Sequence, residues 1–203
     1  MGDISDPRLY HAHVARNRRP ILEVLARVLP HGGLVVEIAS GSGEHAAFFA
    51  QNLPSVRWQP TDADEGALAS IGAHRTAAGA PNLMVPLRLD AAAERWPVES
   101  ADALVCNNMI HIAPWRITEG LMAGAGRTLQ NGGTLYLYGP YRIDGRHTAP
   151  SNADFDVWLK RQNPEWGIRD LADVAALAQR HGLELTETVA MPANNLSVIF
   201  RRG

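Results

Sequence analysis

Cysteine is almost missing from this chain of 203 residues: Cys106 stands alone. That excludes an intrachain disulfide and any zinc site built from several cysteines. It also excludes a secreted disulfide scaffold, so a reducing, cytoplasmic setting is expected. Lysine is equally scarce. Of 19 basic side chains only Lys160 is a lysine, so Schiff-base or amine-nucleophile chemistry would rest on one residue that sits in no motif. No apolar run approaches the ~18 residues of a membrane span. The first twenty residues are polar and lack the apolar centre of a signal peptide. Met1-Gly2 opens like a myristoylation site, but Asp6 stands where that motif wants Ser or Thr. A basic surface is lacking too, and a net charge of −2 argues against a nucleic-acid partner. His11, His13, His31, His74, His147 and His181 are scattered without metal-ligand spacing, so no metal is expected.

What is present is ordinary for a folded domain: 46% hydrophobic and 20% charged residues in one domain's length of chain. Glycine and proline together reach about 15%, slightly above the usual ~12%, which signals turns and not disorder. Apolar periodicity predicts helices over 21–29, 45–52, 65–78, 117–129 and 170–181. Short β-branched or apolar runs predict strands over 34–39, 56–60, 84–89, 101–106 and 134–138. Strand and helix alternate with short connections, which predicts a parallel sheet covered on both faces. Two final strands, 184–190 and 196–201, are separated by five residues, too few for a parallel crossover, so one is reversed. The expected fold is Rossmann-like α/β, doubly wound, with a mostly parallel seven-stranded sheet and an antiparallel last strand. No second domain is expected.

Gly41, Gly43 and Ala46 satisfy GxGxxG/A directly after a strand and before a helix. The plainer alternative is a tight strand-to-helix turn without a ligand. Among nucleotide-type ligands, two readings compete. A dinucleotide would place its pyrophosphate on the helix N-terminus, where the acid Glu37 would repel it. S-adenosylmethionine (SAM) carries an ammonium and a sulfonium and no phosphate, so an acid nearby is favourable. Asp62 lies 25 residues after Glu37, where an acid would bind ribose hydroxyls. Asp64 is an alternate, or a cap for the next helix. Asp90, with Ala91 beside it, ends the third strand, where it could accept from an adenine amine or merely form a turn.

Glu37-x-Ala39-x-Gly41-x-Gly43, Asp62, Asp90 and the late hairpin resemble class I SAM-dependent methyltransferases, with Ala39 where that superfamily usually has Gly. More specifically, the chain resembles the small methyltransferase-like proteins called domain of unknown function 938. The segments that carry this include Trp58-Gln59-Pro60-Thr61-Asp62, Asn108-Met109-Ile110-His111-Ile112-Ala113-Pro114-Trp115, Pro164-Glu165-Trp166-Gly167 and Met191-Pro192-Ala193-Asn194-Asn195. The resemblance implies the fold and SAM binding, with adenosylhomocysteine as product, and leaves the acceptor open.

Methyl transfer needs alignment of the acceptor and removal of its proton. Asn107 to His111 follow the fourth strand and are expected to face the methyl group. His111 is the first candidate for a general base; a structural histidine is the alternative. Asn108 is expected on the acceptor, Asn107 and Met109 on the cofactor, and Tyr141 as a further proton acceptor. Arg16 and Asn17, just before the first helix, are expected to fold over the cofactor within a cover segment, 1–20. The segment 141–167 is too long for a plain connection and rich in aromatics, and is expected to be a lid and acceptor pocket. Its candidate contacts are Ser151, Asn152, Phe155, Trp158, Trp166 and Arg169. Asn194 and Asn195 are expected as turn residues. The expected function is methyl transfer to O or N of a small molecule, with no nucleic-acid or membrane partner. The rivals are a nicotinamide-dependent oxidoreductase and a non-catalytic SAM- or adenosylhomocysteine-binding module.

Overall fold

A computed structural model describes residues 6–203. The Met1-Gly2 motif and the first residues of the 1–20 cover segment lie outside the described residues. In chain order the elements are α1 (Ala12–Val28), β1 (Leu34–Ile38), α2 (Glu44–Asn52), β2 (Arg57–Asp62), α3 (Glu65–Ala78), β3 (Leu87–Arg88), β4 (Ala101–Asn107), α4 (Trp115–Thr128), β5 (Leu129–Gly139), β6 (Arg142–Ile143), β7 (Arg146–His147), α5 (Pro150–Gln162), α6 (Leu171–Arg180), β8 (Leu183–Met191) and β9 (Asn195–Arg202).

Seven strands form one sheet in the order β3-β2-β1-β4-β5-β9-β8. All pair in parallel except β9, which runs antiparallel to both β5 and β8. The reversed final strand is therefore as the five-residue spacing required. Successive side chains on a strand point to opposite faces, and both faces are buried here. Val36, Leu104, Leu135, Val198 and Phe200 pack on one side with α4 and α6. Val35, Ala103, Val105, Tyr136 and Ile199 pack on the other with α1 and α2. Burial on both faces explains why the central strands read as continuous apolar runs.

The elements that differ from the sequence reading do so for identifiable reasons. α1 begins nine residues before the predicted start, because the helix continues through Pro20. Proline removes one i→i−4 hydrogen bond, but the carbonyl it frees belongs to Arg16, on an exposed turn. β3 shrinks to two residues because Pro86 cannot donate to a ladder. Leu129 to Gly133 join β5 across an irregular register with β4 instead of forming a separate turn. The 141–167 segment is ordered: it contains the β6–β7 hairpin and the 13-residue helix α5, whose hydrophobic periodicity is weak.

Strand order reverses between β1 and β4, which opens a crevice at their carboxyl ends. The loop from β1 to α2 crosses that crevice. Gly43 has φ +87°, and a Cβ there would sit 2.7 Å from the Ile71 Cα, so glycine lets α2 approach α3. Gly41 has φ +58° with open space around a Cβ position. Gly43→Ala is therefore expected to cost about 3 kcal/mol, from a backbone clash plus left-handed strain, and Gly41→Ala only about 1 kcal/mol. Urea unfolding midpoints of the two variants check the difference.

Candidate active site

Glu37 sits at the end of β1, only 1% exposed. Its Oε2 accepts hydrogen bonds from Trp58 Nε1 and Ser40 Oγ, both at 3.1 Å. Asn107 Nδ2 approaches Oε1 at 3.4 Å, while Asn107 Oδ1 is buried without a partner. The Glu37 carbonyl accepts from Thr61 Oγ1 at 2.8 Å. No described cation pairs with this carboxylate. Burial pushes Glu37 up to about 7 against the pull of its three donors, with Asp62 adding a smaller push in the same direction.

The glycine loop is braced by Asp62, at the end of β2. Its Oδ2 accepts from the Gly41 N–H at 2.9 Å and its Oδ1 from the Asp64 N–H at 3.0 Å. Asp64 caps α3 through Ala67 N–H, so the cap alternative holds for that residue. Ala39 takes φ +55° at the position where Gly is usual, a left-handed conformation that costs an alanine about 1 kcal/mol.

A cleft of about 150 Å³ opens here, lined by Glu37, Ala39, Ser40, Gly41, Asn107 and Asn108 below and by His11, His13 and Val14 above. The chain that roofs it is pinned down. Leu9 N–H donates to Ser70 Oγ, whose own hydroxyl donates to the Ser42 carbonyl. His11 N–H donates to Glu44 Oε2 at 2.7 Å.

A second cavity, of about 390 Å³, adjoins the first and shares His13 and Asn108 with it. Asn17, Tyr138, Ser151, Asn152, Phe155 and Asn195 contribute to its walls. Asn152 Nδ2 donates to Thr148 Oγ1 and to the Asn194 carbonyl, both at 2.9 Å, which ties α5 to the β8–β9 connection. Ala193 and Asn194 both adopt φ +58° there, so Asn194 is a turn residue as expected, while Asn195 also reaches the cavity. Asn17 Oδ1 lies 2.8 Å from His45 Nε2. Burial pushes the Tyr138 hydroxyl up, partly offset by the neighbouring side chains of Asn17 and Asn195.

Several expected site residues fall elsewhere. His111 is completely buried, edge-on to Tyr141, and lines neither cavity. It turns inward because Gly139 leaves room: a Cβ at 139 would sit 2.6 Å from the ring. Its Nδ1 accepts from the Arg169 N–H at 3.3 Å, which places the proton on Nε2, and burial holds it down to about 3. Tyr141 is equally enclosed, its hydroxyl without a described partner and pushed well above its ordinary value by burial. Arg169 clamps the carbonyls of Ile110, Ala113 and Glu165 and stacks over Trp115. Trp166 and Trp158 line neither cavity; Trp158 is half exposed and stacks on Phe155. Arg16 is exposed on α1, and Asn17 lies on the second cavity and not the first. Asp90 caps its own turn through Ala92 N–H, and Ala91, Met109 and Gly43 are not on the cleft surface; Asp62 also stands just beyond the cleft lining, where it holds the Gly41 N–H. Missed by the sequence reading were His13, Tyr138 and the roof residues, since nothing in their spacing marks them. A larger hollow, about 560 Å³, lies between α6 and the start of β8, away from the strand ends that carry these groups.

Strand order, the reversed β9 and the acid-flanked glycine loop together define a class I methyltransferase fold. Residues 8–202 match the family described as "Protein of unknown function (DUF938)", and the chain belongs to that family. Solved structures with the same fold include an O-methyltransferase family protein from Burkholderia thailandensis, at TM-score 0.81 and 18% identity over 94% of this chain and 57% of that one. Human N-acetylserotonin methyltransferase in complex with SAM gives 0.77 and 16%, over 94% and 53%. An O-methyltransferase family 2 protein from Planctomyces limnophilus in complex with apigenin gives 0.74 and 18%, over 92% and 62%. This chain thus spans a little over half the length of those proteins. Among the described residues no helix is long and apolar enough to cross a membrane, and no group of three His, Cys, Asp or Glu is placed to hold a metal.

The raised Glu37 has a consequence for stability. Protonated Glu37 suits the core, whereas the unfolded chain ionises it near 4.5. Stability from this group is complete below that value and is lost as the pH rises to about 7, by about 3 kcal/mol in all. Glu37→Gln, with no charge to bury, should lose less over that interval and exceed the natural protein at pH above 7. Urea unfolding at acidic and alkaline pH measures this.

Proposed function

We propose that the protein is a SAM-dependent methyltransferase that methylates an oxygen or nitrogen of a small molecule. The observation that carries this reading is the pair of adjoining cavities: a cleft over the glycine loop with a buried, cation-free carboxylate at its floor, opening across Asn108 and His13 into a second pocket. The residues fit SAM. Glu37 and the unpartnered Asn107 Oδ1 offer two buried acceptors for an ammonium. Asp62 uses one lone-pair site on each oxygen for the loop, leaving others for two ribose hydroxyls. The open space at Gly41 admits a ligand against the backbone.

A dinucleotide fits less well. The N-terminus of α2 already holds the Glu44 carboxylate, hydrogen-bonded to His11 and Ser42, where a pyrophosphate would have to sit. SAM supplies an activated methyl group. The chain's part is to hold the acceptor in line and keep water out, and alignment alone supplies about 7–11 kcal/mol of rate enhancement. The cleft is smaller than the ~300–1,000 Å³ of most ligand sites, so the first turn of α1, as the cover, must lift to admit the ligand. His111, enclosed and neutral, acts here by fixing the Asn108 turn against α5's C-terminal loop: its carbonyl accepts from Gly167 N–H at 2.9 Å.

Calorimetric titration with SAM tests the proposal; absence of binding at millimolar ligand would overturn it. Asp62→Asn, whose amide oxygen can serve only one of the two loop N–H groups and carries no charge, should reduce affinity about 10-fold or more, since hydrogen bonds to charged groups contribute ~1.5–3 kcal/mol. Binding should also strengthen as the pH rises through about 7, because only ionised Glu37 attracts an ammonium. A pH-independent affinity would remove Glu37 from the ammonium site.

A further inference from the structure

The second cavity is mostly apolar in surface, with a polar wall on one part. Among the described residues that line it there is no Asp, Glu, Lys or Arg. Its polar wall is made chiefly of four asparagines, Asn17, Asn108, Asn152 and Asn195, with Tyr138, and Phe155 supplies a ring face. A charged guest would lose its hydration there without a counter-charge, at a cost of several kcal/mol. An amide wall instead suits a guest with its own neutral donors and acceptors. The fold also fixes how some of these amides present themselves. Asn152 spends Nδ2 on Thr148 and Asn194, which leaves its Oδ1 as an acceptor, while Asn195 spends Nδ2 on Pro192 and Ala193 and lies against the Tyr138 hydroxyl.

The same absence of cations decides where a proton must go. With no Lys or Arg on the wall to hold a preformed anion, the acceptor arrives with its proton attached. Two ionisable groups border the cavity, His13 and Tyr138. Tyr138 is pushed up by burial and stays a donor. His13 is held down by partial burial, by His11 stacked 5.4 Å away and by Arg16, with Glu44 opposing. His45, from α2, is itself buried neutral. His13 is thus a neutral acceptor at neutral pH, and it alone of the two also borders the cofactor cleft.

We propose that the methyl acceptor is an uncharged molecule with a hydroxyl or N–H beside a ring face, seated among the four asparagines, and that His13 is the catalytic residue that takes its proton. The bond from the acceptor atom to the methyl carbon forms as the carbon–sulfur bond breaks, and that bond's electron pair stays on sulfur. The acceptor's proton passes to the imidazole, so the positive charge lost from sulfonium appears on His13. Its exposed position at the mouth lets that proton leave to solvent. This inference rests on the methyltransferase reading and adds the acceptor class and the base.

The test uses the full chain with adenosylhomocysteine present and three probes of one shape: benzamide, benzoate and benzylammonium. NMR reads the side-chain amide signals of the four asparagines. Benzamide at millimolar concentration should shift them, with both ions at least ~10-fold weaker, the ratio that even a small desolvation penalty imposes. Either ion binding as well as benzamide, or no response to any of the three, overturns the acceptor class. The Asn108→Asp variant, with one carboxylate on the wall, should gain benzylammonium. Separately, a His13→Gln variant that still binds SAM should lose turnover on a methylated probe together with the low-pH limb of its pH profile; unchanged turnover and an unchanged profile overturn the role of His13. Calorimetry with SAM on the same sample separates the two levels: SAM binding with benzoate seated among the asparagines refutes only this inference, whereas no SAM binding refutes the activity itself.

Discussion

A carboxylate buried where three strand ends meet, with no cation to pair it, constrains most of what surrounds it. Glu37 draws Trp58 from β2, Asn107 from β4 and Ser40 from the glycine loop onto one side chain. A buried charge costs several kcal/mol unless it is paired, and here hydrogen bonds offset only part of that, so the group is poised near neutrality. The strand ends, the loop conformation and the floor of the cleft are therefore set by one residue whose ionisation a cationic ligand would complete. Structural stability and ligand affinity pull on Glu37 in opposite directions, a conflict expected at binding sites and out of place in a purely structural core.

Around that point the two cavities divide the chemistry. The cleft over β1 is acidic at its floor and bordered by backbone, which suits a cation with many polar atoms. The cavity over the end of β5 has no described Asp, Glu, Lys or Arg on its lining and is mostly apolar, with four asparagines as its polar wall. Its walls come from segments far apart in the chain: α1, the turn after β4, α5 and the β8–β9 connection. Two side-chain links, Asn152 to the Asn194 carbonyl and Asn194 to Ser151, tie α5 to the β8–β9 connection, and His45 to Asn17 ties α1 to α2. The first turn of α1 borders both cavities through His13, so access to the two is coupled through one short segment.

Much of this was readable from sequence, and the division between what was and was not has a physical cause. The sheet and its reversed strand follow from local apolar runs and connection length. The glycine loop, Glu37 and Asp62 lie within a short window whose spacing carries its own geometry. The second cavity has no such window. His13 and Tyr138 reach it only because α1 crosses the sheet end and β5 stops where it does. Pro20 hid the early start of α1, since a proline within a helix reads as its boundary. His111 looked like a base because it follows a strand end, but a single glycine, Gly139, gives its ring an inward alternative that sequence spacing does not reveal. Arg169 likewise reads as a ligand contact, whereas three backbone carbonyls absorb it.

The central claim is that the two adjoining cavities form one methyl-transfer site, and a crystal structure with adenosylhomocysteine bound tests it most directly. The amino group is expected at Glu37 and Asn107, the ribose at Asp62, and the sulfur at the junction of Asn108 and His13, pointing toward Tyr138. A sulfur directed away from that junction, or a ligand seated outside the glycine-loop cleft, would contradict the account.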